Sequence, residues 1–462
     1  IRDSHYKYLR DNYTLNYLWS SHFDGPYQGD FNGDGNDDLA LIQPFVGIKI
    51  FSIDGTPMST IAFNYPNFYI PFSLVADINS DGKDEIFVQT NRSSPAATLW
   101  AYNMDGTAVE GWDPFEIPLT GSESVQFVPI SKDLDQDGSP EVVLKAYFRN
   151  SSNRKHEGIF IVSAEGNIEH SWITEQKGGE LESFGTYPVV MPSDGSYFDI
   201  VVASTRISSG VRNNGALAVY DMKGSLKWKR DLRGYVLSSP VVADIDSDGR
   251  PEIIVNLIYE GPENPLYGGL YVFDSDGNIK PGWPVLRGTK FAVSPIILDI
   301  NGDNSLEIVV TRTSPDKRLY VFSSEGTLLW QKISFGSYYG IVSSSLSNEP
   351  IIVLPDLWYE WGGGVYAFNS TGGMWRSFPK LTDGITAPPI VDDFDHDGKA
   401  ELVVFSHNDI YSDGFGTKRR ATFYVYELDG IFDELSQYWS HFQFDKQLTG
   451  CLLYTSPSPR DS

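Results

Sequence analysis

Residues 239–286 read SPVVADIDSDGRPEIIVNLIYEGPENPLYGGLYVFDSDGNIKPGWPVL. Four short runs begin at Ser239, Ile253, Gly269 and Ile279, and Val, Ile, Tyr and Phe dominate them. Those side chains suit a pleated, half-buried surface. Asp-Gly pairs at 248–249 and 276–277 supply the positive φ that tight turns need. No long segment has a helical period. The stretch is therefore expected to be one antiparallel sheet of four short strands.

The same pattern recurs along the chain. Its acidic segment appears as Asp30-FNGDGNDD, Asp77-INSDGKDE, Asp133-LDQDGSPE, Asp244-IDSDGRPE, Asp299-INGDNSLE and Asp393-FDHDGKAE, with degraded copies at 191–199 (MPSDGSYFD) and 341–349 (IVSSSLSNE). Successive copies lie 42 to 58 residues apart. A second motif follows each copy, as in GIKIFSIDG from Gly47, GLYVFDSDG from Gly269 and RLYVFSSEG from Arg318. A Trp follows that motif in seven units: Trp112, Trp172, Trp228, Trp283, Trp330, Trp375 and Trp439. A four-stranded unit repeated at this period is the signature of a β-propeller, because each sheet covers its apolar faces only by stacking on its neighbours. The fold class is all-β, with eight blades expected, seven as the alternative, and the acidic hairpin loops on one face. The tryptophans are expected to pack between blades.

Composition narrows the function. The 462 residues carry 35 Lys+Arg against 61 Asp+Glu, a formal charge of −26. Phosphate neutralisation needs a basic surface, so a nucleic-acid partner is excluded. No run approaches the roughly 20 apolar residues of a membrane span, so no membrane insertion is expected in this fragment. With 11 Trp, 26 Tyr and 27 Phe the chain has ample apolar surface for a core. A single Cys leaves no disulfide framework. Residues 451–462 (CLLYTSPSPRDS) resemble translated sequencing-adapter DNA and are set apart as a non-native tail. Residues 1–26 form an N-terminal segment with a strand available to close the ring, and 27–450 form the propeller.

These loops and strands resemble FG-GAP/VCBS repeats, the family that builds the N-terminal propeller of integrin α chains, over about residues 27–445. Integrin-type propellers have seven blades, whereas eight units are counted here. The pattern D-x-[DN]-x-D-G-x-x-[DE] sets hard oxygen donors at its first, third, fifth and ninth places, as calcium requires. The resemblance implies about six Ca2+. Their ligands would be Asp30, Asn32, Asp34 and Asp38; Asp77, Asn79, Asp81 and Glu85; Asp133, Asp135, Asp137 and Glu141; Asp244, Asp246, Asp248 and Glu252; Asp299, Asn301, Asp303 and Glu307; and Asp393, Asp395, Asp397 and Glu401. The fifth set has Asn304 where Gly is expected, and Asn also tolerates positive φ. The units at 191–199 and 341–349 lack the donors, and no metal is expected there.

Loops joining second to third strands fall on the opposite face, where a protein or glycan partner would bind. The candidates there are Arg149, Arg206 and Arg312, with the aromatic run Trp358, Tyr359 and Trp361. There is no HExxH and no GxSxG, and the expectation is a binding or adhesion module rather than an enzyme. The alternative is a calcium-dependent polysaccharide lyase, since some lyases use eight-bladed propellers. Weak calcium sites would stand empty in a cytosol, so an extracellular, surface or periplasmic location is expected.

Overall fold

The computed structural model describes residues 6–14, 24–43, 47–62, 73–90, 98–117, 125–149, 155–174, 180–182, 186–193, 197–208, 211–259, 268–286, 290–291, 293–314, 318–333, 340–356, 363–382, 385, 387–412, 417–432 and 451–452. Among them every regular element is a strand, and the strands fall into eight sheets, one for each repeat. The protein is an eight-bladed β-propeller. Among the described residues no helix is long and apolar enough to cross a membrane.

Blade 1 runs from its inner to its outer strand as Asp24–Gly29, Asp38–Gln43, Gly47–Phe51 and Pro57–Ala62. Blades 2 and 3 repeat this order from Leu74–Ala76 to Phe115–Glu116 and from Val125–Lys132 to Ile168–Ile173. In blades 4 and 6 the inner strand is broken in two, and both pieces pair with the second strand. Blade 5 has three consecutive strands, Val241–Ala243, Glu252–Leu257 and Gly269–Phe273, and single bridges to Ile279 and Val285 mark its outer edge. Cys451–Leu452 runs parallel to the inner strand of that blade. Blade 7 spans Val342–Leu346 to Lys380–Thr382. Blade 8 takes Ile390–Asp392, Glu401–Ser412 and Thr417–Glu427 from one end of the sequence and Tyr6–Thr14, its outer strand, from the other.

Between blades the side chains merge into shared cores. One apolar cluster joins blades 1 and 2, a second blades 2 and 3, a third blades 3 to 5, a fourth blades 5 to 7 and a fifth blades 7 and 8. The ring closes where Leu39, Leu41 and Phe51 of blade 1 meet Phe394, Val403 and Phe405 of blade 8. Such burial is the main term holding a propeller together, since no blade buries both faces alone.

The recurrent Trp sits at these joints wherever it is described, and Trp439 lies outside the described residues. Trp112, Trp228, Trp283 and Trp330 each donate the indole N–H to a backbone carbonyl in the outer hairpin of the following blade, at Ala164, Ser275, Ser324 and Ser370. The distances run from 2.7 to 3.0 Å. The hairpin glycine lies under the ring: a Cβ on Gly277, at φ +79, would come within 2.7 Å of the Trp228 indole. Only glycine combines that φ with that approach.

A second set of ties was not read from the sequence. Gln89, fully buried in the second strand of blade 2, donates to the Val125 carbonyl and accepts from the Phe127 N–H of blade 3. Asn256 donates to Val293 of blade 6, and Thr205 bonds both polar backbone groups of Val236 before blade 5. At the place of Gln89 in blade 3 stands Lys145, wholly out of water. It donates to Thr186 Oγ1 at 2.7 Å and to the Ala203 carbonyl at 2.7 Å, with Glu157 Oε2 3.5 Å away. Burial lowers the pKa of that ammonium, and Glu157 works in the opposite sense.

Replacing Trp112, fully buried, with Ala is expected to cost about 3–5 kcal/mol. Trp112→Phe should cost about 1–3 kcal/mol, mainly for the orphaned Ala164 carbonyl. Urea unfolding midpoints check both; a Trp112→Ala protein as stable as the parent would contradict this packing role.

Candidate cation-binding loops

Each acidic segment joins the inner strand of its blade to the second strand. The strands alternate in direction, so these loops share one end of the propeller with the outer hairpins. All 24 candidate donors lie in six such loops, one group of four per blade in blades 1, 2, 3, 5, 6 and 8.

The loops are built alike by hydrogen bonds from their own backbone. In blade 2, Asp77 Oδ1 accepts the Asp81 N–H at 3.0 Å and Asp77 Oδ2 the Gly82 N–H at 3.0 Å, while Asp81 Oδ1 accepts from Lys83. The same three contacts recur around Asp30, Asp133, Asp244, Asp299 and Asp393. The sixth place needs positive φ, which Gly82, Gly138, Gly249 and Gly398 supply. Asn304 takes φ 66°, so the expected tolerance of Asn holds there. The fourth place is also left-handed, a constraint the motif did not reveal: Ser80, Gln136, Ser247 and His396 have φ between 54° and 61°.

The ninth residue is the anchor. Asp38, Glu85, Glu141, Glu252, Glu307 and Glu401 begin the second strands and are buried. In five loops one oxygen of the Glu accepts the N–H of the second loop residue, at 2.8–3.1 Å. Burial pushes Glu401 up to about 8 and the other five up to about 7, with neighbouring loop carboxylates adding to the shift. At Glu252, Lys280 works against it.

Where the third residue is Asp, the carboxylates converge. Three carboxylate oxygens lie within 4.8 Å of one another in Asp133/Asp135/Glu141, Asp244/Asp246/Asp248 and Asp393/Asp395/Glu401. Each group can hold a metal ion. In blade 1 the buried Asp38 Oδ2 has no hydrogen-bond partner, an orphaned anionic oxygen beneath Asp30 and Asp34. Such an atom needs a cation or a proton. Hard oxygens, a buried acid and a backbone scaffold fit a hard divalent cation.

The two degraded units differ. In blade 7, Ser347 and Asn348 (φ 55° and 60°) form a two-residue turn between paired strands, and Glu349 is exposed. In blade 4, Asp199 occupies the ninth place, buried, and the ammonium of Lys227 lies 2.6 Å from its Oδ2.

Of the candidates for the opposite face, Trp358, Tyr359 and Trp361 lie outside the described residues. Arg149, Arg206 and Arg312 all fall toward the far ends of second strands, away from the acidic loops. Only Arg312 has a described side chain, with Nη1 3.4 Å from the Tyr320 hydroxyl.

No protein-family model matches the chain, and no curated protein does. Among solved structures it is similar to the V. cholerae biofilm matrix protein Bap1, at 12% identity and TM-score 0.37 over 82% of this chain and 70% of that one. It is also similar to BBS1N crystallised in complex with ARL6DN. The lead-soaked form gives 14% identity and TM-score 0.43 over 80% of this chain and 95% of that one. The mercury-soaked form gives 10% and 0.44 over 81% and 100%.

The buried acids set a pH dependence for the metal-free protein. Folded-state values near 7–8 stand above ordinary carboxylate values, so between about pH 4 and 8 the folded chain binds more protons than the unfolded one. Stability contributed by these acids is present at low pH and is lost as pH rises through 7–8. In excess chelator the melting temperature should fall steadily from pH 5 to pH 8.5. A flat or rising profile would overturn the assignment of these six acids as buried with raised folded-state values.

Proposed function

We propose that this propeller is a calcium-stabilised FG-GAP/VCBS-type module that binds a protein or glycan outside the cytoplasm. The observation that carries the calcium reading is Asp38 Oδ2, an anionic oxygen buried without a hydrogen-bond partner inside a loop of hard donors. The same loop design in five other blades extends the reading to about six ions. Magnesium suits these loops less, since it demands stricter octahedral geometry and keeps its waters.

The ions would be structural. The candidate carboxylates are fixed by hydrogen bonds within their own loops and spread around one end of the ring, one group to a blade. That arrangement suits bracing of six blades better than attack on one bond, so we read the chain as a binder and not as an enzyme. Recognition falls to the opposite end, where the loops after the second strands vary in length and where Arg149, Arg206 and Arg312 lie. Modules of this kind bind calcium at about 10⁻⁴–10⁻³ M, which suits an extracellular, surface or periplasmic setting.

Two measurements test the reading. Calcium at a hundredfold excess over its Kd should add about 2.7 kcal/mol for each site filled only in the folded state. A melting temperature identical in calcium and in excess chelator would sink it. A glycan and protein array should show ligand retention that chelator reduces. Unsaturated product from acidic polysaccharides, followed by absorbance, would instead make the protein a lyase.

A further inference from the structure

Two lysines occupy the same place in adjacent repeats. The outer hairpin of blade 4 closes with Asp221–Ser225, that of blade 5 with Asp274–Asn278, and Lys227 and Lys280 each follow as the second residue. The registers agree, with Tyr220 opposite Leu226 and Phe273 opposite Ile279. Both ammonium groups turn into the acidic loop of their own blade. Lys227 Nζ meets Asp199 Oδ2 at 2.6 Å and Ser193 Oγ at 2.9 Å. Lys280 Nζ meets Glu252 Oε1 at 2.8 Å and also bonds Asp246 Oδ2.

We propose, resting on the calcium reading above, that this position sets which cation completes each loop. In blade 4 Lys227 stands permanently in place of a metal ion. In blade 5 Lys280 closes a loop that still has its donors and competes there with calcium.

The donor inventory separates the two cases. Blade 4 has Met191 and Ser193 where the other loops have Asp and Asp or Asn, so among the described residues of that loop only the ninth-place acid needs a counter-charge, and one ammonium satisfies it. Blade 5 keeps Asp244, Asp246, Asp248 and Glu252. Both oxygens of Glu252 are already engaged, one by the Ile245 N–H and the other by Lys280. Blade 1 is the contrast: Met58 stands at the lysine's place, and Asp38 Oδ2 has no partner. In blade 3 the place holds Glu169, which adds negative charge near Glu141. For an ion to enter the loop of blade 5, the lysine must leave, and its lost contacts subtract from the affinity. The loops are therefore graded, and blade 5 is the last to fill.

Calcium titration calorimetry on chelator-stripped protein, paired with melting curves in chelator and in calcium, tests this on the parent, Lys280→Met and Lys227→Met. Lys280→Met copies the arrangement of blade 1. It should lower the melting temperature in chelator and tighten one calcium site by about tenfold. Lys227→Met should lower the melting temperature equally in chelator and in calcium, because no donor set remains to recruit an ion. If Lys280→Met leaves the isotherm and the chelated melting curve unchanged, the proposal is overturned. It is equally overturned if calcium restores Lys227→Met to the parent's stability. Lys280→Arg, which keeps the charge, should match the parent in chelator, so a general folding defect at this position would be recognised. A flat isotherm for parent and variants together would refute the calcium reading, while the chelated melting curves would still decide the role of the lysines.

Discussion

A carboxylate out of water at the head of the second strand is the constraint around which this propeller is arranged. Seven of the eight blades have one: Asp38, Glu85, Glu141, Asp199, Glu252, Glu307 and Glu401. The position is forced by geometry. The acid's backbone pairs with the end of the inner strand, and in five blades its side chain turns back to accept the loop's second N–H, which fixes how the chain leaves the centre of the ring. Desolvation then raises the free energy of the charged form, and something must offset it. Six loops set further oxygen donors near the acid, three of them as converging carboxylates, and blades 4 and 5 supply a lysine. Blade 7 removes the problem with a two-residue turn that leaves Glu349 in solvent.

The joints between blades meet a related demand. Apolar strands supply most of the attraction, but stacking sheets leaves backbone groups at the seams that need partners. Tryptophan solves this at the outer rim, where its indole covers the next hairpin and its N–H takes a carbonyl. Nearer the centre, Gln89, Lys145, Thr205 and Asn256 do the same for the edge of the next blade. These contacts bridge 31 to 58 residues of sequence, about one repeat.

That distance explains which features could be read from the amino-acid order. Strands, turns and loops recur with the repeat, so eight copies of one motif announce eight sheets. The tryptophan soon after each hairpin motif is a sound guide to the joints wherever it is described. The polar seam residues were visible as a break in the apolar strand pattern, as in EIFVQT, EVVLKA and EIIVNL, yet nothing local says which neighbour they reach. Lys227 and Lys280 escaped notice because a lysine on an outer strand is ordinarily a solvated one, and only the fold turns it toward a loop 28 residues earlier. The left-handed fourth loop residue was hidden by its variety, since Gly33, Ser80, Gln136 and His396 share no chemistry. The aromatic run at 358–361 is outside the described residues.

Trp112, Trp228, Trp283 and Trp330 each reach forward, from one blade to the next, so the ring has a sense of rotation. Blades 2, 4, 5 and 6 bear this donor on one side, and blades 3, 5, 6 and 7 bear its receiving carbonyl on the other, so the two sides of a blade are unlike. In the closed ring each side is met by its complement, and blade 1 against blade 8 completes the circuit. An arc of this propeller, cut from the ring, would end in two faces that fit one another and that no rotation within the arc could bring together. Such heterologous faces join head to tail and extend without limit unless a circuit closes. Eight blades in one chain keep that polymerising geometry within a single molecule.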